Sequence, residues 1–176
     1  MSRSPLSLPV IMLACLPITG LAEDMDSHAA HQHGIAQLTL VLEKNTVQVA
    51  LESPADNIVG FEHAATKPGE KAAVAAAIST LSQPALLGLS TEAGCSKATT
   101  RIKKMLATPE HSAHRDIEVS HTLSCSQPDK LKQLDASALF NAFPRMQSLK
   151  VEFALPAGQG SVTLTPAAPL ATLVRG

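Results

Sequence analysis

Three histidines stand close together near the amino end of the chain, in the run Asp26-Ser-His-Ala-Ala-His-Gln-His-Gly34. They are His28, His31 and His33. Alternate side chains of an extended backbone share a face, so His31 and His33 would point the same way with Cα atoms about 6–7 Å apart. Two neutral imidazoles at that spacing can share a divalent ion such as zinc. The cluster predicts a metal site; the alternative is a solvated leader without a binding role.

A second group of possible metal ligands lies in the middle of the chain. His111 and His114 are three positions apart, so a helical turn would bring their rings together, and Asp116 could add a carboxylate oxygen. The competing interpretation is an exposed polar loop. His121 differs from these histidines because it alternates with polar residues in a strand-like pattern, and we expect it in the core.

Glu62 and His63 are neighbours and could supply one oxygen and one nitrogen ligand. Adjacent residues in a strand point to opposite faces. The two side chains can therefore serve one ion only if Gly60 allows the backbone to turn.

Other chemistry is poorly supported. The sequence contains no G-x-S-x-G, no H-E-x-x-H, no P-loop and no dinucleotide-binding fingerprint, so we expect no enzymatic activity. The formal net charge is −1, and the chain has four Phe but neither Trp nor Tyr. Without a basic stripe or aromatic residues for base stacking, nucleic-acid binding is not expected.

The first 22 residues have the pattern of a cleaved signal peptide. Arg3 precedes an apolar stretch over residues 6–16, and Gly20-Leu-Ala22 matches a small-x-small cleavage site. The apolar stretch is shorter than the about 20 residues that a membrane-spanning helix needs, so we expect no span in the mature chain. Lipid attachment at Cys15 is the alternative, but bulky Leu13 disfavours it. We expect residues 23–34 to form a flexible leader.

Removal of the signal peptide would leave two cysteines, Cys95 and Cys125. In an oxidising compartment such a pair most simply forms a disulfide. A thiolate metal site is the alternative, although the two residues are not in a C-x-x-C arrangement.

Alternating apolar residues and turn signals predict one α+β domain over residues 35–165, followed by a peripheral tail over residues 166–176. Three antiparallel hairpins give a sheet of about six strands, with two helices packed on one face. The predicted strands are 35–43 with 46–52, the two arms of 95–125, and 148–155 with 161–165; the predicted helices are 70–81 and 129–142, the second as one helix or two short ones.

The middle hairpin has one irregular feature. If Cys95 faces Cys125, the tip falls at residues 110–111. Simple register then sets Lys97 opposite Leu123 and Arg101 opposite Val119, and both of these partners are apolar. Because a charged residue fits poorly there, we expect a bulge or slipped pairing before Ile102.

Several segments resemble the ZrgA family of exported, zinc-regulated proteins linked to zinc uptake. The resemblance rests on sequence blocks spread over the mature chain: His31-Gln-His-Gly-Ile-Ala-Gln-Leu38, Glu52-Ser-Pro-Ala-Asp-Asn-Ile-Val-Gly-Phe-Glu-His-Ala64, Glu70-Lys-Ala-Ala-Val74, Ala93-Gly-Cys95, the strand ending at Cys125, Phe143-Pro144 and Leu149-Lys-Val-Glu-Phe153. The stretch from residue 57 to residue 63 is the most specific part.

The resemblance implies a periplasmic, non-catalytic zinc-binding protein that assists zinc acquisition, usually beside an ABC-type importer. It implies candidate ligands at His31, His33, Glu62 and His63. The family's long His/Asp-rich segment is reduced here to residues 110–116, so His111, His114 and Asp116 would be the remnant of a loop site that holds fewer ions.

Two alternatives to zinc remain from the residues themselves. Copper(II) prefers the same nitrogen ligands and binds many such sites more tightly than zinc. The chain could also be an exported interaction domain whose histidines are incidental.

Overall fold

A computed structural model of the chain describes residues 32–104 and 115–173, and the main element is a six-stranded sheet. The spatial order of its strands is β3-β4-β2-β1-β6-β7, and a separate two-stranded sheet pairs β5 with β8. The strands are β1 Ile35–Glu43, β2 Thr46–Pro54, β3 Cys95–Lys104, β4 Asp116–Cys125, β5 Gln133–Asp135, β6 Ser148–Leu155, β7 Gly158–Leu164 and β8 Leu170–Thr172. The α+β prediction is confirmed.

The first hairpin forms as its alternation predicts. β1 and β2 are antiparallel, with Leu40 opposite Val49, and both side chains are at most 1% exposed. Their polar neighbours point to the other side of the sheet, so one face of the hairpin builds the core.

The β3–β4 hairpin is also confirmed. Cys95 faces Cys125 across the two strands and the pair forms a disulfide. The register shifts between Lys97 and Thr99, where the sequence predicts a bulge. The predicted tip at residues 110–111 lies outside the described residues.

The pairing of β1 with β6 departs from an all-antiparallel sheet because these two strands run parallel. Both begin at the same end of the sheet, with Ile35 beside Ser148. The Gly34 carbonyl accepts hydrogen bonds from the backbone N–H groups of Gln147 (2.8 Å) and Ser148 (2.9 Å). The segment between β4 and β6 therefore crosses the core and returns the chain beside the start of β1.

In the part of the chain that the structure describes, three α-helices accompany the sheet: α1 Ala55–Val59, α2 Pro68–Leu81 and α3 Ser137–Ala142. Leu81 of α2 and Leu139 of α3 are 1% exposed and belong to the same hydrophobic core as the inward-facing strand residues. The 70–81 prediction is thus confirmed, with a start two residues earlier. Short 3-10 helices occupy Pro84–Leu87, Thr91–Ala93 and Pro128–Lys130.

The predicted helix over 129–142 is wrong in its first half. Gln133–Asp135 is strand β5, and Leu134 pairs with Ala171 of β8. The spacing of Leu131 and Leu134 suits a helix, but pairing with the distant β8 buries both leucines while satisfying the backbone.

That pairing also changes the role of the tail, which the sequence predicts to be peripheral. Ala171 and Leu173 are each 1% exposed, and the Leu173 N–H donates to the Lys132 carbonyl at 2.7 Å. The segment up to residue 173 is therefore packed into the domain.

The structure places His121 in the core, as its alternation predicts. The side chain is 3% exposed, and its Nδ1 lies 2.8 Å from the Thr100 hydroxyl.

Over the described ranges, none of the helices has the length and apolar character needed to cross a bilayer.

Candidate functional site

His33 lies on a tight turn immediately before β1. The Ile35 N–H donates to the Gln32 carbonyl at 3.0 Å, and Gly34 has φ +86°. Because this left-handed conformation is costly for residues with a Cβ, glycine is the natural residue after His33. The turn leaves the His33 side chain 55% exposed.

Glu62 reaches His33 from a loop 29 positions further along the chain. Helix α1 ends at Gly60, whose φ of +84° turns the backbone away from the helix axis. The side chain of Glu62 is 11% exposed, and its Oε1 lies 3.0 Å from Nε2 of His33. Because an ionised carboxylate only accepts hydrogen bonds, the imidazole Nε2–H donates in this contact.

The His33–Glu62 pair has a spacing suited to zinc. Nitrogen and oxygen ligands bound about 2.0–2.1 Å from a tetrahedral zinc ion lie about 3.3 Å from each other. The observed 3.0 Å is close to that value. If Nε2 of His33 carried no proton, a zinc ion could therefore bind both this nitrogen and Oε1 of Glu62 after the two atoms moved slightly apart.

The contacts of His63 differ from those of its neighbour Glu62, which pairs with His33. Its ring stacks on Phe61 with centroids 4.9 Å apart, and its Nδ1 lies 3.1 Å from the Ala64 carbonyl oxygen. Its Nε2 lies 4.0 Å from Oε1 of Glu70. Glu62 and His63 thus have separate partners, and the loop after Gly60 contributes one residue to each of two His–Glu pairs.

Glu70 was not predicted as a possible metal ligand from the sequence. The backbone N–H groups of Lys67 and Thr66 donate to its Oε2, and these bonds, the one from Lys67 first, lower the pKa of the Glu70 carboxyl. The Lys67 ammonium also lies 3.2 Å from Oε1. A glutamate in the first turn of a helix is a recognisable capping signal, although that signal does not reveal the nearby histidine.

Of the remaining predicted ligands, Asp116 alone lies within the described residues. His28, His31, His111 and His114 lie outside the described residues. Asp116 is the first residue of β4, on the far side of β2 from β1, and is 6% exposed. Within 32–104 and 115–173, no three or more His, Cys, Asp or Glu side chains are grouped so that they could hold a metal ion.

Comparison with known families gives a match over nearly the whole domain. The family is described as "ZrgA family zinc uptake protein", and the match covers residues 30–173. No curated protein matches the chain. The matched segment includes β1–β8. The match confirms the family that the resemblance of the sequence blocks predicts. The chain therefore belongs to the ZrgA family of zinc uptake proteins.

Proposed function

We propose that this protein binds zinc outside the cytoplasm and supplies it to an importer, with His33 and Glu62 as the first two ligands. The observation that carries the proposal is the 3.0 Å contact between a half-exposed imidazole and a carboxylate. Imidazole nitrogen and carboxylate oxygen are both ordinary zinc ligands. Membership of a zinc uptake family supports the choice of metal.

His31 and His28 are the proposed additional ligands. Zinc usually takes four ligands in a protein, and the described pair supplies two. His31 precedes His33 by two positions and offers the same type of donor. A site that binds its ion partly through a chain terminus can release it to a partner more readily than a closed four-ligand cage, which suits a protein whose cargo is zinc.

We expect the His63–Glu70 pair to bind zinc more weakly. The Glu70 carboxylate already accepts two backbone hydrogen bonds and contacts the Lys67 ammonium. A metal at His63 would have to compete with that lysine. We propose His111, His114 and Asp116 as a separate minor site on the β3–β4 hairpin.

Copper(II) is the competing metal because it accepts the same nitrogen and oxygen donors. Both cysteines of the described chain are joined in the disulfide, which leaves the proposed sites without thiolate. A competition experiment, in which zinc and copper(II) are offered together to the purified protein, shows which metal the site binds more tightly.

We propose a non-catalytic role, in the periplasm and beside an ABC-type importer. The family name supports zinc uptake, and the disulfide is typical of an oxidising compartment. A protein that only captures and transfers an ion needs no general base or substrate cleft.

Zinc binding is expected to weaken by at least about tenfold between pH 7.5 and pH 5.5. Unperturbed imidazoles titrate near pH 6.5, and a protonated ring cannot bind the metal, so protons compete increasingly as the pH falls. The measurement is a zinc titration against a competing chelator whose own pH dependence is calibrated. Equal affinity at both pH values would exclude histidine ligands, provided that circular dichroism shows the protein folded at both.

A thermal melt separates zinc binding from the interaction-domain alternative. A ligand that binds only the folded chain raises the melting temperature, and the stabilisation grows with the logarithm of its concentration relative to its Kd. We expect zinc to raise the melting temperature at pH 7.5. An interaction domain with incidental histidines would melt at the same temperature with and without zinc.

A further inference from the structure

Asn57 is a buried amide that connects the two segments carrying the His33–Glu62 pair. Its side chain lies on α1 and the residue is 1% exposed. Its Oδ1 accepts a hydrogen bond from the Gly34 N–H at 2.7 Å, and its Nδ2 donates to the Ile35 carbonyl at 3.0 Å. Nδ2 also lies 3.1 Å from the Ser53 hydroxyl, which accepts from it.

These bonds hold the residue that follows His33. The Gly34 N–H belongs to the peptide unit that contains the His33 carbonyl, and Asn57 binds that N–H directly. On the other side, the Gly34 carbonyl accepts from Gln147 and Ser148. The backbone beside His33 is therefore fixed from two directions, although the His33 side chain is mostly exposed.

Asn57 also lies close to Glu62 along the chain. It is part of the short helix whose C-terminal Gly60 directs the loop toward His33. One amide thus joins the helix that leads to Glu62 and the turn that carries His33.

We propose that Asn57 is a positioning residue for zinc: it sets the spacing of His33 and Glu62 before the ion binds. The inference rests on the proposed function of that pair. A preformed site loses less conformational freedom on binding than one assembled around the ion, and residues that orient metal ligands commonly contribute about 10–100-fold to metal affinity. Asn57 would act through backbone geometry and would not contact zinc.

Asp56 supplies a matched control from the same helix. Its carboxylate accepts two hydrogen bonds from Arg145, at 3.1 and 3.2 Å, and the arginine side chain is 59% exposed. The Asp56 side chain is 18% exposed. Asparagine keeps a side-chain oxygen at this position that can still accept a hydrogen bond from Arg145. Asp56→Asn should therefore leave both the fold and the zinc affinity nearly unchanged, within about twofold.

The test compares zinc affinity, measured with a competing chelator, for the full protein and for Asn57→Ala, Asp56→Asn, Glu62→Gln and the Asn57→Ala/Glu62→Gln double variant. We expect Asn57→Ala to reduce the affinity about tenfold in the native background and to have almost no further effect when Glu62 is already replaced. A purely structural role would instead give the same loss in both backgrounds, and that result would overturn the inference.

Asn57→Asp covers the case in which Asn57→Ala does not fold. It keeps an acceptor for the Gly34 N–H at nearly the same volume but loses both donated bonds, and we expect an affinity between those of the native protein and Glu62→Gln. Native affinity in the folded Asn57→Asp or Asn57→Ala variant would also overturn the inference. If Glu62→Gln and His33→Ala themselves bind zinc normally, the proposed function fails instead.

Discussion

Replacing His33 by alanine is expected to lower the zinc affinity of the folded protein by at least about tenfold. The substitution removes a nitrogen ligand and leaves Glu62 without the imidazole 3.0 Å away. Loss of a residue that merely orients a ligand already costs about 10–100-fold in metal affinity, so loss of the ligand itself should cost no less. Isothermal titration at pH 7.5, with a competing chelator if binding is tight, gives the affinity and the stoichiometry.

His63→Ala is the matched control for this prediction. His63 is also exposed, at 61%, and also lies near a glutamate, but Glu70 is held by Lys67 and by two backbone N–H groups. We expect less than about a threefold loss of affinity at the first zinc equivalent. A larger loss of affinity for His63→Ala than for His33→Ala would show that His63 and Glu70, and not His33 and Glu62, form the principal site. The zinc affinity and stoichiometry of a His111→Ala/His114→Ala variant test separately for the minor site proposed on the β3–β4 hairpin.

The Cys95→Ser/Cys125→Ser variant is expected to lose about 3–4 kcal/mol of unfolding free energy. The disulfide joins residues 30 positions apart, and the chain-entropy model gives about that value for a loop of such length. For a domain of this size the melting temperature should fall by roughly 10 °C. Chemical denaturation followed by circular dichroism measures the free energy, and the native protein under reducing conditions should behave like the variant.

The disulfide variant should nevertheless keep its zinc affinity wherever it remains folded. The Cys125 N–H donates to the carbonyl of Asn45, in the turn between β1 and β2, whereas His33 precedes the opposite end of β1. The disulfide and the His33–Glu62 pair are therefore separated by the length of β1. Unchanged stability after reduction would contradict the structural role of the disulfide, and loss of zinc binding in the folded variant would contradict this separation.

Much of the fold could be predicted because local patterns determine it. In β1 and β2, apolar residues recur at every second position, and this alternation puts Leu40 and Val49 on the same buried face. The bulge near Lys97 was predictable for the same reason, since simple register sets Lys97 and Arg101 opposite apolar residues. The observed shift leaves Lys97 paired with Leu123 and pairs Arg101 with Ser120 in place of Val119. These features depend on neighbours within one hairpin.

The parts that could not be predicted depend on distant partners. Leu134 has helical spacing from Leu131, and only its pairing with Ala171 makes this segment a strand. The parallel contact of β1 with β6 likewise joins segments more than a hundred positions apart, as Ile35 and Ser148 illustrate. The three-residue strands β5 and β8 carry too weak a pattern to be recognised as strands. The alternation within β1 and β6 identifies each as a strand but does not specify its partner.

The candidate site divides in the same way. His33 was predictable because histidines are concentrated near it, and Glu62 from the resemblance of its surrounding sequence. Asn57 was not predicted as a functional residue, because an asparagine after Ser53-Pro-Ala-Asp is typical of a turn, and the resemblance over residues 57–63 did not indicate a role for it. Its role depends on hydrogen bonds to Gly34 and Ile35, which only the folded chain shows.

The most direct test observes the ring nitrogens of His33 during a zinc titration. Long-range proton–nitrogen NMR spectra of protein labelled with nitrogen-15 in histidine resolve Nδ1 and Nε2 of each ring, and His33→Ala assigns the signals. Ligation of Nε2 beside Glu62 predicts that the His33 Nε2 resonance moves to the metal-bound range and stops changing at the first zinc equivalent. Saturation of the protein with zinc while both His33 nitrogen resonances stay in place would contradict the proposed site.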